Sequence, residues 1–106
     1  MSAAGLRVDE AGFLLNRGDW TPEVAAQLAA ERGIELTAIA RAVLLTVRDF
    51  HARTDVSPAM RPLVKLLRET HGQDVGNSIF LHQTFGESPA KEIARLAGLP
   101  KPTNCL

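Results

Sequence analysis

A hydroxyl residue followed by proline occurs three times in this chain, at Thr21-Pro22, Ser57-Pro58 and Ser88-Pro89, and no other feature constrains the fold as much. Each pair predicts a helix start. The hydroxyl accepts from the orphan backbone N–H groups of the first turn, and the proline occupies the first helical position, where a missing N–H costs nothing. The first helix is expected to run to about Arg32, with Val24 and Leu28, and Ala25 and Ala29, spaced i, i+4, and with Gly33 where a left-handed residue closes the end. A second starts after Thr37. Its apolar positions Ile39, Val43, Val47 and Phe50, flanked by Ala40 and Leu44, form a broad face that suits a central helix. The third presents Met60, Leu63, Val64 and Leu67 before Gly72, a fourth is expected over 74–85, and a fifth over 89–97 before Gly98.

The two ends differ from this middle. Residues 6–15 alternate loosely around Gly12, which predicts a small β-hairpin. Residues 99–106 cannot continue a helix, because Pro100 and Pro102 lack donors and bias their predecessors towards extended backbone. They are expected to form a mobile arm. In polyproline geometry the steps from Gly98 to Cys105 would carry the sulfur some ~22 Å from the helix end. The expected fold is therefore mainly α: one domain over 1–106, with a hairpin at 6–15, a small orthogonal bundle of about five helices over 21–97, and the arm.

Composition removes several function classes. With 45% hydrophobic and 23% charged residues, the chain has the content of a globular domain rather than a disordered one. Twelve Lys+Arg balance twelve Asp+Glu, so no overall field draws it to nucleic acid or an anionic membrane. No apolar run approaches the ~18 residues of a membrane span, and no leader pattern precedes residue 10, so a soluble, cytoplasmic protein is expected. A single cysteine excludes an intrachain disulfide and a thiolate-rich metal site, and fits a reduced compartment. His51, His71 and His82 are too scattered to form a metal-ligand set. Neither a metal nor a cofactor is expected.

The motifs Pro89-Ala90-Lys91, Ala97-Gly98-Leu99-Pro100-Lys101-Pro102-Thr103 and the penultimate Cys105 resemble the C-terminal signature of the DsrC/TusE family of sulfur-carrier proteins. Val47-Arg48-Asp49-Phe50, Ser57-Pro58-Ala59-Met60-Arg61, Leu63-Val64-Lys65 and Gly76-Asn77-Ser78 followed by Phe85 fall in that family's order and spacing. The resemblance implies a sulfurtransferase that carries sulfane sulfur as a persulfide on Cys105. It also implies sulfur-donor and sulfur-acceptor partners: a persulfide donor complex, and a tRNA thiolase or a sulfite-reductase-type protein. Members serving dissimilatory sulfite reductase resemble this chain but carry a second cysteine at the position of Ala94. Its absence points to the single-cysteine type, which serves thiolation of the tRNA wobble uridine, with a paralogue in sulfur oxidation or its regulation as the alternative. Ile79 and His82 stand where the family usually has a basic and an aromatic residue, and Asn104 where the members serving sulfite reductase have glycine.

The residues themselves fit this chemistry. A carrier needs one accessible thiol to hold sulfur reversibly, and an arm that loses little entropy on docking, which Pro100 and Pro102 provide. Lys101 favours thiolate formation at Cys105 and the C-terminal carboxylate opposes it, so activation is expected from a partner's pocket. Arg61, Lys91 and Arg95 are the candidate partner contacts, and Trp20 is expected in the core beside a helix start. A monomer without direct nucleic-acid or membrane binding is expected. A helix-turn-helix DNA-binding module is the alternative from another class. The segment 41–68 contains six basic residues and two acidic ones, but the helix beginning Pro58-Ala59-Met60 is poor in base-reading side chains.

Overall fold

The computed structural model describes residues 6–103, and these contain five α-helices: α1 (Pro22–Ala30), α2 (Ala38–Thr54), α3 (Met60–His71), α4 (Ser78–Phe85) and α5 (Pro89–Leu96). The bundle is the one expected from the sequence. Thr21 caps α1 by accepting from Val24 N–H, and Thr37 caps α2 by accepting from Ala40 N–H. At the end of α1, Gly33 lies at φ +68°, and two bonds, Ile34 N–H to Ala29 O and Gly33 N–H to Ala30 O, close the last turn.

Three boundaries differ from expectation, each for a local reason. Ser57-Pro58 does not start α3. The chain stays extended to Ala59, and Ser57 is 8% exposed with its hydroxyl unpartnered. Pro62 explains the delay: in a helix begun at Pro58 it would occupy the fifth position and remove an interior hydrogen bond, whereas in α3 it sits in the first turn. Helix α4 starts four residues later than expected because Asn77 is its cap. The Asn77 side chain accepts from Phe80 N–H and donates to Gln73 O and Asp74 O, so the preceding residues form a turn. The N-terminal hairpin reduces to one isolated antiparallel bridge, Val8 with Leu14. Asp9 closes its turn by accepting from Ala11 and Phe13 N–H, and Asn16 then caps a 3-10 turn (Arg17–Asp19) that ends the extended run.

The central element is α5 rather than α2, because α5 packs against each of the other four helices. Its Ile93, Ala94 and Leu96 join Leu28, Val43, Leu44, Val47, Leu63, Leu67 and Leu81 in the core. Of the charged residues on α5 only Lys91 keeps partial exposure. Arg95, expected at a partner surface, is 1% exposed. It pairs with Glu92 through Nε at 2.8 Å and Nη2 at 2.5 Å, and Nη2 also donates to Leu28 O at 2.8 Å. Glu92 in turn accepts from Arg32 Nη1 at 2.8 Å, and Arg32 Nη2 reaches Ala11 O at 2.8 Å. This network joins α5, α1 and the N-terminal turn.

Arg95→Ala should therefore destabilise the domain by about 3–5 kcal/mol in urea unfolding, since it leaves the Glu92 carboxylate buried with one of its two cationic partners gone. A variant as stable as the parent would place Arg95 at a surface after all.

Candidate functional site

The expected site is the C-terminal arm, and its root is built into the fold. The last carbonyls of α5 are all occupied. Leu99 N–H bonds Ala94 O at 2.9 Å and Gly98 N–H bonds Arg95 O at 3.2 Å. Trp20 Nε1–H donates to Leu96 O at 2.8 Å, and Arg48 Nη1 donates to Ala97 O at 2.7 Å. The Arg48 guanidinium also lies 4.1 Å above the centre of the Trp20 ring. Burial lowers the Arg48 pKa from its ordinary value. Gly98 is required at this point: φ is +73°, and a Cβ there would stand 2.6 Å from Trp20 Cδ1. Trp20 is half-buried beside α1, as a core residue would be, but its particular work is to hold the start of the arm.

From this clamp the arm does not leave the body at once. Leu99 and Pro102 are buried while Pro100 and Lys101 are exposed, so residues 99–102 lie along the domain. The reach estimated from Gly98 is therefore too long for this arrangement. From Pro102 to Cys105 three residues span at most about 10 Å. Cys105 itself lies outside the described residues.

Pro100 and Lys101 form one wall of a cleft of about 530 Å³, whose other walls include Asp9, Phe13, Arg17 and His51. His51 is 6% exposed, and Arg17 Nη1 stands 3.4 Å from its Nδ1 and 3.3 Å from its Nε2. Burial pushes the His51 pKa below its ordinary value, the Arg17 and Arg48 charges push the same way, and Asp55 opposes them. The sequence offered His51 only as an isolated histidine, because Arg17 and the arm residues that share its cleft come from distant segments. The only signal was its place one turn after Val47 on the buried face of α2.

The remaining candidate residues separate. Arg61 is exposed, Lys91 is half-buried, and both line a second cleft of about 450 Å³ together with the exposed His82. Arg95, in the core, faces neither cleft. His71 is tied to α2 through a 2.7 Å contact between its Nε2 and Thr46 Oγ1. No group of three or more His, Cys, Asp or Glu side chains among the described residues could hold a metal ion. The basic middle segment is partly consumed internally: Arg48 by Ala97 O and Trp20, Arg53 by Asp49 at 3.0 Å, and Arg68 by Gly76 O at 3.3 Å. A DNA-reading face would need those side chains free. No described helix is long and apolar enough to cross a membrane.

With this architecture in view, comparison with known proteins defines the class. The family model described as DsrC like protein matches residues 1–106. Sulfurtransferase TusE of Salmonella choleraesuis is 40% identical over 95% of this chain and 93% of its own length, and a TusE homolog of Haemophilus influenzae is 44% identical over the same shares. The solution structure of DsrC from Allochromatium vinosum superposes with a TM-score of 0.88 at 37% identity, covering 100% of this chain and 96% of that one. The oxidized γ-subunit of dissimilatory sulfite reductase (DsrC) from Archaeoglobus fulgidus gives a TM-score of 0.82 at 38% identity, over 95% and 92% of the two chains. The chain belongs to the DsrC/TusE family.

The environment of His51 makes a pH prediction. Its folded pKa lies below the unfolded value of 6.5, so below that pH the unfolded chain binds more protons. The stability owed to neutral His51 is complete above this value and is lost as pH falls through it towards the folded pKa. Between about pH 7.5 and about pH 5 the parent should lose more thermal stability than His51→Gln. Equal losses in the two proteins would show that another group carries the acid sensitivity.

Proposed function

We propose that this protein is a sulfurtransferase of the carrier type, which takes up sulfane sulfur as a persulfide on Cys105 and delivers it to an acceptor protein in a relay leading to tRNA thiolation. The observation that carries this reading is the arm root. Three α5 carbonyls and that of Ala97, the Trp20 indole, the Arg48 guanidinium and an obligatory Gly98 fix the direction of a Pro-Lys-Pro segment three residues before the single cysteine. Relatives of sulfurtransferase name, matching over nearly the whole chain, support the same chemistry.

The transfer balances without a redox agent. The Cys105 thiolate attacks the outer sulfur of a donor persulfide, the donor S–S bond breaks, and the donor departs as a thiolate while Cys105 holds the new S–S bond. Delivery repeats the exchange with the acceptor as nucleophile. The sequence places Lys101 and the C-terminal carboxylate near Cys105 with opposite effects on its ionisation, so activation of the thiol falls to a partner's pocket. The partners are a persulfide donor complex and a thiolase-type acceptor, in the reducing setting of the cytoplasm.

Two predictions follow from a single thiol on a rooted arm. Incubation with inorganic polysulfide should add a mass of about 32 Da to the parent and nothing to Cys105→Ser, with melting temperatures unchanged by the replacement of one sulfur by oxygen. Equal loading of the serine variant would remove the assignment. Mild oxidation of the parent should give only a symmetric dimer through Cys105, or mixed disulfides when glutathione is present, both cleared by a reductant. A monomer that resists reduction while still losing its titratable thiol would point instead to oxidation beyond the sulfenic state.

A further inference from the structure

The second cleft lies at the opposite end of α5 from the arm. Its walls are the first turns of α3 and α5, with His82 of α4 between them. Pro89 is buried and Met60 half-buried, giving an apolar interior, while Arg61 and His82 are exposed at the edge and Lys91 is half-buried. Neither Arg61 nor Lys91 has an ion-pair partner among the described residues, unlike Arg17, Arg32, Arg53 and Arg95. Both helix starts are also open. Ala59 offers no capping side chain, and Ser88, at the cap position expected of it, makes no capping hydrogen bond. The first turns of two helices without side-chain caps and two cations without ion-pair partners therefore line one concave, largely apolar space.

We propose that this cleft is the docking site for a short acidic and apolar peptide segment of a relay partner, with a leucine-like side chain in the cleft and a carboxylate between Arg61 and Lys91. The proposal rests on the carrier reading only in naming the partner as a relay protein. Charge complementarity selects the occupant. Cations around an apolar interior match an acidic residue beside an aliphatic one, and Met60 supplies an adaptable surface. Glu87 also lines the cleft. Its carboxylate opposes any anionic occupant, so the choice falls to the apolar interior, which buries nothing of a run of phosphates but takes a peptide that alternates acidic and aliphatic side chains. At 1.5 Å per residue the eight residues of α5 separate this cleft from the arm root by about 12 Å. A partner held there leaves the Cys105 arm free to enter that partner's own active site.

The test uses the full-length protein and a fluorescein-labelled peptide of about eight residues alternating glutamate and leucine, read by polarisation and by amide chemical shifts. Saturable binding should shift the amides of residues 59–61 and 87–91, and the double variant Arg61→Glu, Lys91→Glu should weaken it about tenfold. Arg61→Gln, Lys91→Gln should lie between the two, and equal melting temperatures would show that the variants are folded. Undiminished binding by the charge-reversed protein overturns the proposal. Equal binding of a lysine and leucine peptide, or tighter binding of oligouridylate than of the acidic peptide, also overturns it. The carrier reading is judged separately: the charge-reversed protein should still gain about 32 Da from polysulfide, and Cys105→Ser should still bind the peptide.

Discussion

The buried guanidinium of Arg95 is the constraint on which the arrangement of the other helices depends. A charge that is 1% exposed survives only where its donors are met, and here the acceptors are Glu92 on its own helix and the Leu28 carbonyl on α1. Glu92 requires a further donor from outside α5, which Arg32 supplies, and Arg32 fixes the N-terminal turn through Ala11 O. Apolar packing alone would let α5 rotate or slide among α1, α2, α3 and α4. The ion-pair network is directional, and a shift of α5 would leave buried donors and acceptors unpaired, so it favours the observed register of the central helix.

That register has consequences at both ends of α5. At its C-terminal end the helix meets Trp20 and Arg48, whose donors cover Leu96 O and Ala97 O, and Gly98 turns the chain onto the surface beside His51. At its N-terminal end Pro89 and Ala90 are brought against Met60 and Arg61. An eight-residue helix thus links the root of the candidate arm to a separate concave surface. The chemistry itself asks little of the domain beyond one thiol, so what the fold contributes is the place from which the thiol is presented.

Much of the helical layout was legible because it is written in local signals. Thr21, Thr37, Gly33 and Gly98 act within one turn of their own positions, and each does what its type and place predict. Ser57 failed because its dipeptide was read alone. Pro62, four residues after Pro58, forbids a helix start at Pro58, and that veto was present in the sequence. Asn77 likewise outranked a start at Asp74 by offering both an acceptor and two donors to the turn. Arg95 was harder. Its helix reads as amphipathic, with Lys91, Glu92 and Arg95 together on one side, so the sequence pattern places Arg95 towards solvent, and only packing from other elements covers that side as well. Its partner Glu92 lies three residues earlier, but Arg32 and Leu28 O are sixty or more residues away in sequence, and only the folded chain brings them together.

The same distinction explains why the arm was recognised as an element while its course was not. Two prolines and a glycine forbid continuation of α5, which is a local fact, whereas burial of Leu99 and Pro102 depends on a surface assembled from distant parts of the chain. The bond from Leu99 N–H to Ala94 O joins these two levels. Ala94 is 1% exposed, at the position where two-cysteine members of the family carry their second thiol. In this chain that position is given over to packing and to holding the arm root, so the persulfide proposed on Cys105 finds no second thiol within the chain to resolve it. Resolution must come from another molecule. The fold accordingly keeps the root of the arm fixed while the acceptor supplies the second half of the exchange.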